Sequence, residues 1–292
     1  MTGSRTVAVL GTGAMGSQVA RRLASQSWSV TAWNRSPERA RTLEDAGIRA
    51  AGTPAEAVAG ADTVLLWLAD GAAIQETLAS AGVTPLLDSR LIVQMATIAP
   101  EESRDLSATI TGAGGRYLEC PVLGSLPEAR EGRLILMAGG PEEAFEEAYQ
   151  LLSALGPQPA RLGRVGQGAA AKLAFNHLIG ALTSAFSLSL GFVRREGVDV
   201  ESFMDLLRGS AVYAPTFDKK LEKMWARDFD SANFSTRHLL KDLRLFEDAA
   251  RRSGLNTTTM PALVEVVQRA VDQGAADCDY SAIYQIFDPP AR

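Results

Sequence analysis

The feature that most constrains this chain is a glycine-rich segment directly after a short apolar run. Residues 7–10 have the pattern of a buried strand and residues 15–25 that of a helix, and between them Gly11, Gly13 and Gly16 follow a G-x-G-x-x-G spacing. In this context the first glycine permits a tight turn, the second lets the backbone approach a pyrophosphate and the third allows close helix packing. The helix N-terminus offers free N–H groups to the phosphate. The segment predicts a dinucleotide site formed by Gly11, Thr12, Gly13, Ala14, Met15 and Gly16.

A second segment indicates which dinucleotide is preferred. About 20 residues after the glycines, an acidic residue would bind the 2′-hydroxyl of NAD. The strand predicted at 29–33 is followed instead by Asn34, Arg35 and Ser36, with Arg39 in the next turn. A guanidinium group binds phosphate through a planar fork of donors. The segment therefore favours NADPH over NADH; the alternative is that both arginines belong to a solvated loop and helical turn.

Size and charge narrow the class of protein. The chain has 292 residues, more than one core usually organises, and we expect two domains. Its formal net charge of −5 provides no basic surface, so nucleic acid is not an expected partner. Cys120 and Cys278 are far apart and no signal-peptide pattern precedes the first strand, which predicts reduced thiols and a cytoplasmic location. His177 and His238 lack metal-ligand spacing, and we predict no metal site.

Strand-like and helix-like stretches alternate through the first half of the chain. The predicted strands lie at 6–10, 29–33, 63–68, 91–94, 116–119 and 134–138. This alternation predicts an α/β fold, a Rossmann-type doubly wound sheet. From Ala169 onward every periodic stretch is helical. We expect a dinucleotide-binding domain over residues 1–165 and an all-α domain for substrate binding and dimerisation over residues 166–292, joined by a long helix.

The longest apolar stretch of the chain lies near the start of the second domain. Residues 173–193 carry no formal charge and are numerous enough to cross a bilayer. Several serine, threonine and glycine residues interrupt this run, and no second span accompanies it, so we expect no membrane insertion. A helix that is apolar on all sides is typically buried between domains or subunits. The run therefore predicts a homodimer or a homotetramer.

Lys172 is the candidate for acid–base chemistry. It lies at the start of the long apolar helix, and Asn176 follows four residues later on the same helical face. A lysine at the edge of a desolvated cleft has its ammonium form disfavoured, so it can exchange a proton near neutral pH. It could protonate a carbonyl oxygen during hydride transfer while Asn176 holds the lysine or the substrate. The alternative is an ordinary lysine whose stem covers apolar surface.

Several further motifs occur in a fixed order along the chain. They are the segments 94–97, 119–125 with its continuation to Gly140, 166–176, 240–243 after Phe234, and 279–282. Together with the loop at 11–16 and residues 33–35, they resemble the β-hydroxyacid dehydrogenase family, which includes the 3-hydroxyisobutyrate dehydrogenases. The resemblance covers nearly the whole chain and is strongest to the glyoxylate and succinic semialdehyde reductase branch.

The resemblance implies a role for each matching residue. It makes Lys172 the catalytic acid or base, and it gives cofactor contacts to Thr97 and Lys241, with Leu68 as a further candidate. The residues implied at the substrate site are Leu123, Gly124, Ser125, Asn176, Phe234 and Asp242. Backbone amides at 123–125 can receive a substrate carboxylate. Because Lys241 and Asp242 are adjacent on a predicted helix, we expect their side chains to point in different directions.

Three positions depart from the family pattern. Leu123 stands where a serine is usual, which removes a hydroxyl donor and adds apolar bulk. Gln94 and Ala96 replace a common acid and a usual serine, changes that can be packing only. The leading hypothesis is an NADPH-dependent reductase of a small aldehyde acid, either a semialdehyde or glyoxylate. The alternatives are an imine reductase of the same fold, favoured by Leu123, and a non-catalytic dinucleotide-binding module.

Overall fold

The computed structural model describes residues 5–290, which form two compact units. The first unit ends at Lys172 and the second begins at Leu173. This boundary lies inside the helix Gln167–Arg195, and the expected boundary between residues 165 and 166 lies just before that helix.

A mostly parallel sheet forms the centre of the first unit. Its order is β3-β2-β1-β4-β5-β6-β8-β7, with β9 paired to β8. The six strands from β3 to β6 are parallel, whereas β8 is antiparallel to β6 and β7. The strands are β1 (Thr6–Leu10), β2 (Ser29–Trp33), β3 (Arg49–Ala50), β4 (Thr63–Leu66), β5 (Leu91–Gln94), β6 (Arg116–Glu119), β7 (Val122–Leu123), β8 (Ile135–Gly139) and β9 (Ala160–Gly163). The predicted Rossmann-type fold is confirmed.

Seven helices of the described first unit cover the two faces of this sheet. Their bounds are α1 (Ala14–Ser25), α2 (Pro37–Arg41), α3 (Pro54–Ala59), α4 (Gly71–Ala79), α5 (Pro100–Gly112), α6 (Leu126–Glu131) and α7 (Glu142–Leu155). Alternate residues of one strand serve opposite faces: Val7 and Val9 pack against the side of α1 and α7, and Ala8 and Leu10 against the side of α3, α4 and α5. A parallel strand buried on both faces needs an unbroken apolar run, which residues 7–10 provide.

The differences from the predicted strands are local. The strand predicted at 63–68 ends at Leu66, so Leu68 lies in the following loop, and the strand predicted at 134–138 is shifted by one residue to Ile135–Gly139. The strands β3 and β7 have two residues each, too few for an alternating pattern to be recognised.

The second unit is helical in the part that the structure describes, apart from one isolated bridge between Ser235 and Asp279. It continues α8 (Gln167–Arg195) and contains α9 (Val200–Arg208), α10 (Pro215–Ala226), α11 (Thr236–Arg252), α12 (Met260–Ala270) and α13 (Tyr284–Phe287). One of its core clusters includes Phe186 and Met204, and the other includes Leu243. These clusters account for the all-α domain predicted after Ala169.

A buried ion pair connects α10 to the end of the chain. Lys220 is 4% exposed and Asp279 is fully buried, and Lys220 Nζ lies 2.8 Å from both carboxylate oxygens. Burial lowers the pKa of Lys220, and the neighbouring Asp279 carboxylate opposes that shift. Ser281 also donates to Asp279 through its amide and hydroxyl groups. Removing one partner of such a pair typically costs about 3–5 kcal/mol, so this contact anchors the 279–282 motif.

The helix α8 has two different faces. Asn176, Thr183, Ser187 and Leu190 are at most 2% exposed, whereas Phe175, Leu178, Leu188 and Phe192 are 40% to 63% exposed. By length and composition alone α8 could cross a membrane, and among residues 5–290 it is the one helix with this property. A single such helix is weak evidence for a membrane-spanning segment, because core helices of soluble proteins have the same length and composition.

Candidate active site

Two glycines make the turn between β1 and α1 possible. Gly11 has φ +102° and donates its N–H to Trp33 O at 2.8 Å. A β-carbon at Gly11 would overlap the Trp67 carbonyl, and one at Gly16 would overlap the Gly11 carbonyl. The first turn of α1 therefore packs directly on the backbone that leaves β1, as the sequence pattern predicted.

Gly13 has a different environment. A β-carbon at this position would meet no atom within 4 Å. Gly13 is the N-cap of α1, which has no side-chain cap and no acidic residue in its first turn, so the N–H groups at Ala14 and Met15 are available to an anion. The Thr12 hydroxyl is buried without a hydrogen-bond partner among the described residues. Open space, free donors and an unsatisfied hydroxyl fit a dinucleotide pyrophosphate.

The loop after β2 provides the predicted phosphate-binding groups. Asn34 is half-buried, accepts from the Thr12 amide at 3.1 Å and donates to Ser36 O at 3.2 Å. Arg35, Ser36 and Arg39 are exposed, and within residues 5–290 neither guanidinium group has a hydrogen bond or salt bridge. These side chains remain able to bind a 2′-phosphate.

Leu68 and Thr97 follow the next two strands of the sheet, β4 and β5. Both are half-buried in loops at the carboxyl edge, the edge at which the glycine loop also lies. Ligands of open α/β sheets bind at this edge, at the point between β1 and β4 from which the chain connections run to opposite sides of the sheet. Gln94 is fully buried and donates to Ala96 O at 2.8 Å, so the Gln94 side chain supports the turn before Thr97.

The loop at 123–125 differs from its expected role in one respect. Gly124 has φ +139°, and a β-carbon there would lie 2.8 Å from Leu134 Cδ2, so glycine is required. The Ser125 amide donates to Glu128 Oε2 at 2.7 Å, and the Ser125 hydroxyl donates to the same oxygen. The expectation that the amides of this loop are available to a substrate carboxylate is therefore wrong for Ser125. The S-x-x-E spacing of a capping box, readable at 125–128, is the signal that was missed.

Lys172 is half-buried and lies in the second turn of α8. Asn176 follows one turn later and is 1% exposed. The start of this helix is held by Glu119, the last residue of β6, whose carboxylate accepts from Gly166, Gly168 and Ala169 amides. In the sequence, Glu119 stands out only as a member of the 119–125 motif. Its contact with the start of α8 joins residues about 50 positions apart and leaves no local pattern.

Within the second unit, Asn176 and two residues of α11 form one group. Asn176 Nδ2 donates to Asp242 Oδ2 at 2.6 Å, and both side chains are buried. Lys241 Nζ lies 2.9 Å from Asp242 Oδ1, outside hydrogen-bond geometry. The expectation that Lys241 and Asp242 point apart is therefore wrong, because the long lysine side chain bends toward its neighbour. Phe234, just before α11, is half-buried against Tyr280 with ring centroids 5.7 Å apart.

The two histidines contact other side chains of the second unit. His177 stacks on Phe246 with centroids 4.4 Å apart, and His238 is bonded to the Ser235 hydroxyl. Burial lowers the pKa of both histidines. No group of three or more metal-ligating side chains occurs within the described range 5–290.

Sequence comparisons identify the class to which this site belongs. A family described as the NAD binding domain of 6-phosphogluconate dehydrogenase matches residues 6–165. A second, described as NAD-binding of NADP-dependent 3-hydroxyisobutyrate dehydrogenase, matches residues 166–287. Fold, glycine loop and matches together define an NAD(P)-dependent oxidoreductase. The chain belongs to the 3-hydroxyisobutyrate dehydrogenase-like family of hydroxyacid dehydrogenases.

Individual relatives agree with this assignment. The chain is 30% identical to glyoxylate/succinic semialdehyde reductase 1 of Arabidopsis thaliana over 96% of its own length and 97% of the relative. A 3-hydroxyisobutyrate dehydrogenase of Mycobacterium tuberculosis, solved with L-serine, has a TM-score of 0.88 at 24% identity, covering 96% of this chain and 98% of the other. An imine reductase from Myxococcus stipitatus in complex with NADP+ has a TM-score of 0.66 at 21% identity, covering 97% and 99%. The two solved structures support the fold alone.

The glycine loop yields a matched pair of variants. We expect Gly13→Ala to fold with an unchanged melting temperature but to bind NAD(P)H at least about tenfold more weakly, because the added methyl group occupies the pyrophosphate space. Gly16→Ala should lower stability by about 1–3 kcal/mol, because its methyl group overlaps the Gly11 carbonyl. Thermal melts and cofactor fluorescence titrations measure both. Unchanged cofactor affinity in a folded Gly13→Ala variant would contradict the assignment.

Proposed function

We propose that this protein is an NADPH-dependent reductase that converts a small aldehyde acid, a semialdehyde or glyoxylate, to its hydroxy acid. The observation that carries the proposal is the position of Lys172, half-buried on α8 one turn before the buried Asn176–Asp242 pair. The Arabidopsis relative, named for reduction of glyoxylate and succinic semialdehyde, supports the substrate class.

Each candidate residue has a distinct part in this reaction. The glycine loop and the residues after β2 would hold NADPH, whose chemistry there would be donation of a hydride to the carbonyl carbon of the substrate. Lys172 Nζ gives a proton to the carbonyl oxygen, so that one hydride and one proton complete the hydroxyl-bearing product. Asn176, oriented by its hydrogen bond to Asp242, holds the reacting group in place. The first turn of α1 binds the pyrophosphate through its backbone N–H groups.

Substrate selection depends on the loop that contains Leu123, Gly124 and Ser125. Glu128 already accepts from the amide and hydroxyl groups of Ser125, so this loop contributes fewer donors to a substrate carboxylate than the motif alone suggests. Leu123 is half-buried and provides an apolar wall. We propose that Phe234 and Asp242 complete the substrate contacts, and that Thr97, Leu68 and Lys241 contact the cofactor.

Lys172→Ala should lower kcat by about 10²–10⁴-fold, because the general acid is lost, while NADPH affinity changes little. Lys172→Arg should be equally slow, since a guanidinium does not release its proton near neutral pH. Lys219→Ala, at an exposed position of α10, is the matched control and should retain wild-type rates. The measurement is NADPH oxidation with succinic semialdehyde and glyoxylate; wild-type turnover by Lys172→Ala would refute the mechanism.

Arg35→Ala should raise the dissociation constant for NADPH about 10–100-fold, because a charge-assisted bond to the 2′-phosphate is lost. The dissociation constant for NADH should stay the same, since NADH lacks this phosphate. Arg41→Ala changes an exposed arginine later in α2 and serves as the control. Equal weakening of both dinucleotides in Arg35→Ala would argue against a 2′-phosphate contact.

An imine reductase is the second candidate, and the apolar side chain of Leu123 is the observation that favours it. A cyclic imine belongs in the same assay as the aldehyde acids. Faster reduction of the imine would reverse the order of the two proposals. Tight NADPH binding without turnover of any carbonyl or imine would instead favour a non-catalytic dinucleotide-binding module.

We further propose that the protein is a homo-oligomer assembled through α8. Its exposed apolar residues Phe175, Leu178, Leu188 and Phe192 lie along one side of the helix, and such a face is usually covered by a partner. A second copy of the chain offers the same face. Light scattering should therefore give a mass of at least two chains, and Leu188→Glu combined with Phe192→Glu should reduce it to one. A wild-type monomer at micromolar concentration would exclude this assembly.

A further inference from the structure

The buried carboxylate of Glu119 is the least expected charged group in the first unit. Glu119 is fully buried at the end of β6, and among residues 5–290 no lysine or arginine lies within ion-pair distance of it. A buried carboxylate without a cation is costly unless hydrogen bonds replace its hydration. Both of its oxygens have such bonds, and most of the donors belong to one helix end.

One oxygen of Glu119 caps the helix that carries Lys172. Oε1 accepts from the amides of Gly166 at 2.8 Å, Gly168 at 2.7 Å and Ala169 at 3.1 Å. The neighbouring amides of Gln167 and Ala170 donate to backbone carbonyls instead. Every donor in the first turn of α8 is thus satisfied, and two of them depend on a side chain about 50 residues earlier in the chain.

The other oxygen is held by α5. Ser103 donates its hydroxyl to Glu119 Oε2 and is also 2.8 Å from the Tyr117 hydroxyl. Burial raises the pKa of Glu119, and the bonds from Ser103 and the three amides oppose that rise. Tyr117 bonds to the same Ser103 hydroxyl, and burial raises the pKa of Tyr117 and of Cys120, so both stay neutral near the carboxylate. An arrangement in which both oxygens accept hydrogen bonds suits the ionised form.

Two glycines lie against this carboxylate. A β-carbon at Gly139 would overlap Glu119 Oε1, and one at Gly168 would overlap the Met137 carbonyl and lie 3.1 Å from Glu119 Oε1. These glycines belong to two separate sequence motifs, 119–140 and 166–176, which therefore meet at one charged group.

Helix geometry connects this cap to Lys172. The lysine follows Gly168 by four residues and Ala169 by three, which places it on the helical face of the capped amides. Because side chains on a helix lean toward its N-terminus, we expect the lysine stem to lean toward the turn that Glu119 holds. A negative charge at this end also opposes the positive end of the helix dipole, which would otherwise disfavour an ammonium group.

We propose that Glu119 is a positioning residue for Lys172: it holds the first turn of the helix that carries the lysine and places a negative charge at the N-terminus of that helix. This inference rests on the proposed role of Lys172 as general acid. Glu119 does not contact substrate in this assignment, and its effect on turnover passes through the lysine.

The test is a double-mutant cycle with Glu119→Gln and Lys172→Ala. Glutamine keeps an oxygen for the three amides but removes the charge, so the variant should fold, bind NADPH within twofold of wild type and lose about tenfold in kcat. In the Lys172→Ala background, Glu119→Gln should not lower kcat any further. Glu147→Gln is the control, because Glu147 pairs with Arg116 at the other end of β6. An equal loss with and without Lys172 would mean that Glu119 is only structural.

A second measurement does not need turnover. Competitive acylation of the lysines at one pH, read by peptide mass spectrometry, should label Lys172 about threefold faster in Glu119→Gln, with Lys219 as the internal reference. Unchanged labelling in the folded variant would overturn the proposal. If the wild type reduces no carbonyl, the proposed function fails, and the labelling result still decides the role of Glu119.

Ser103→Ala is the alternative variant if Glu119→Gln does not fold. It keeps the hydrogen bonds from the three backbone amides to Oε1 and removes only the hydrogen bond from Ser103 to Oε2. It should lower kcat by a smaller factor, and again only when Lys172 is present. No effect of Ser103→Ala on kcat or on Lys172 labelling would then overturn the proposal.

Discussion

The close contact between α1 and the backbone that leaves β1 is the constraint on which the first unit depends. Because no β-carbon fits at Gly11 or Gly16, the helix starts directly at the carboxyl edge of the sheet, and its free N–H groups point to the space beside Gly13. The parallel order of β2, β1, β4 and β5 brings the loops with Asn34, Leu68 and Thr97 to that same edge. One steric requirement therefore organises most of the candidate cofactor residues.

Within each unit, buried polar groups fix side chains and helix ends. Glu119 at the start of α8, the Asn176–Asp242 pair and the Lys220–Asp279 pair all place charge or amide groups where water is excluded. Each bonds to specific partners, so each fixes a side chain or helix end in one arrangement. The chemistry proposed for Lys172 depends on such fixed surroundings, since a flexible lysine would not hold its proton at one position.

The strengths and failures of sequence reasoning follow from the range of the interactions. Apolar strand patterns and the G-x-G-x-x-G spacing are local, and they predicted the sheet, the glycine turn and the family correctly. Two-residue strands such as β3 and β7 leave no period to detect. Two expectations were wrong: that the Ser125 amide is available, and that Lys241 and Asp242 point apart. In both cases a side chain bends toward a partner that helix periodicity does not reveal. The functional roles of the site residues stay predictions.

The sequence by itself determined the fold class, the turn at Gly11–Gly16 and the absence of an acid after β2, because these depend on the order of neighbouring residues. Only the tertiary structure decided that Gly139 makes room for Glu119, that Glu128 occupies the donors of Ser125, and that Asn176 bonds to Asp242. The physical reason is the same at each position: hydrogen bonds and close contacts depend on distances of a few ångströms, and these distances exist only after distant segments of the chain have packed.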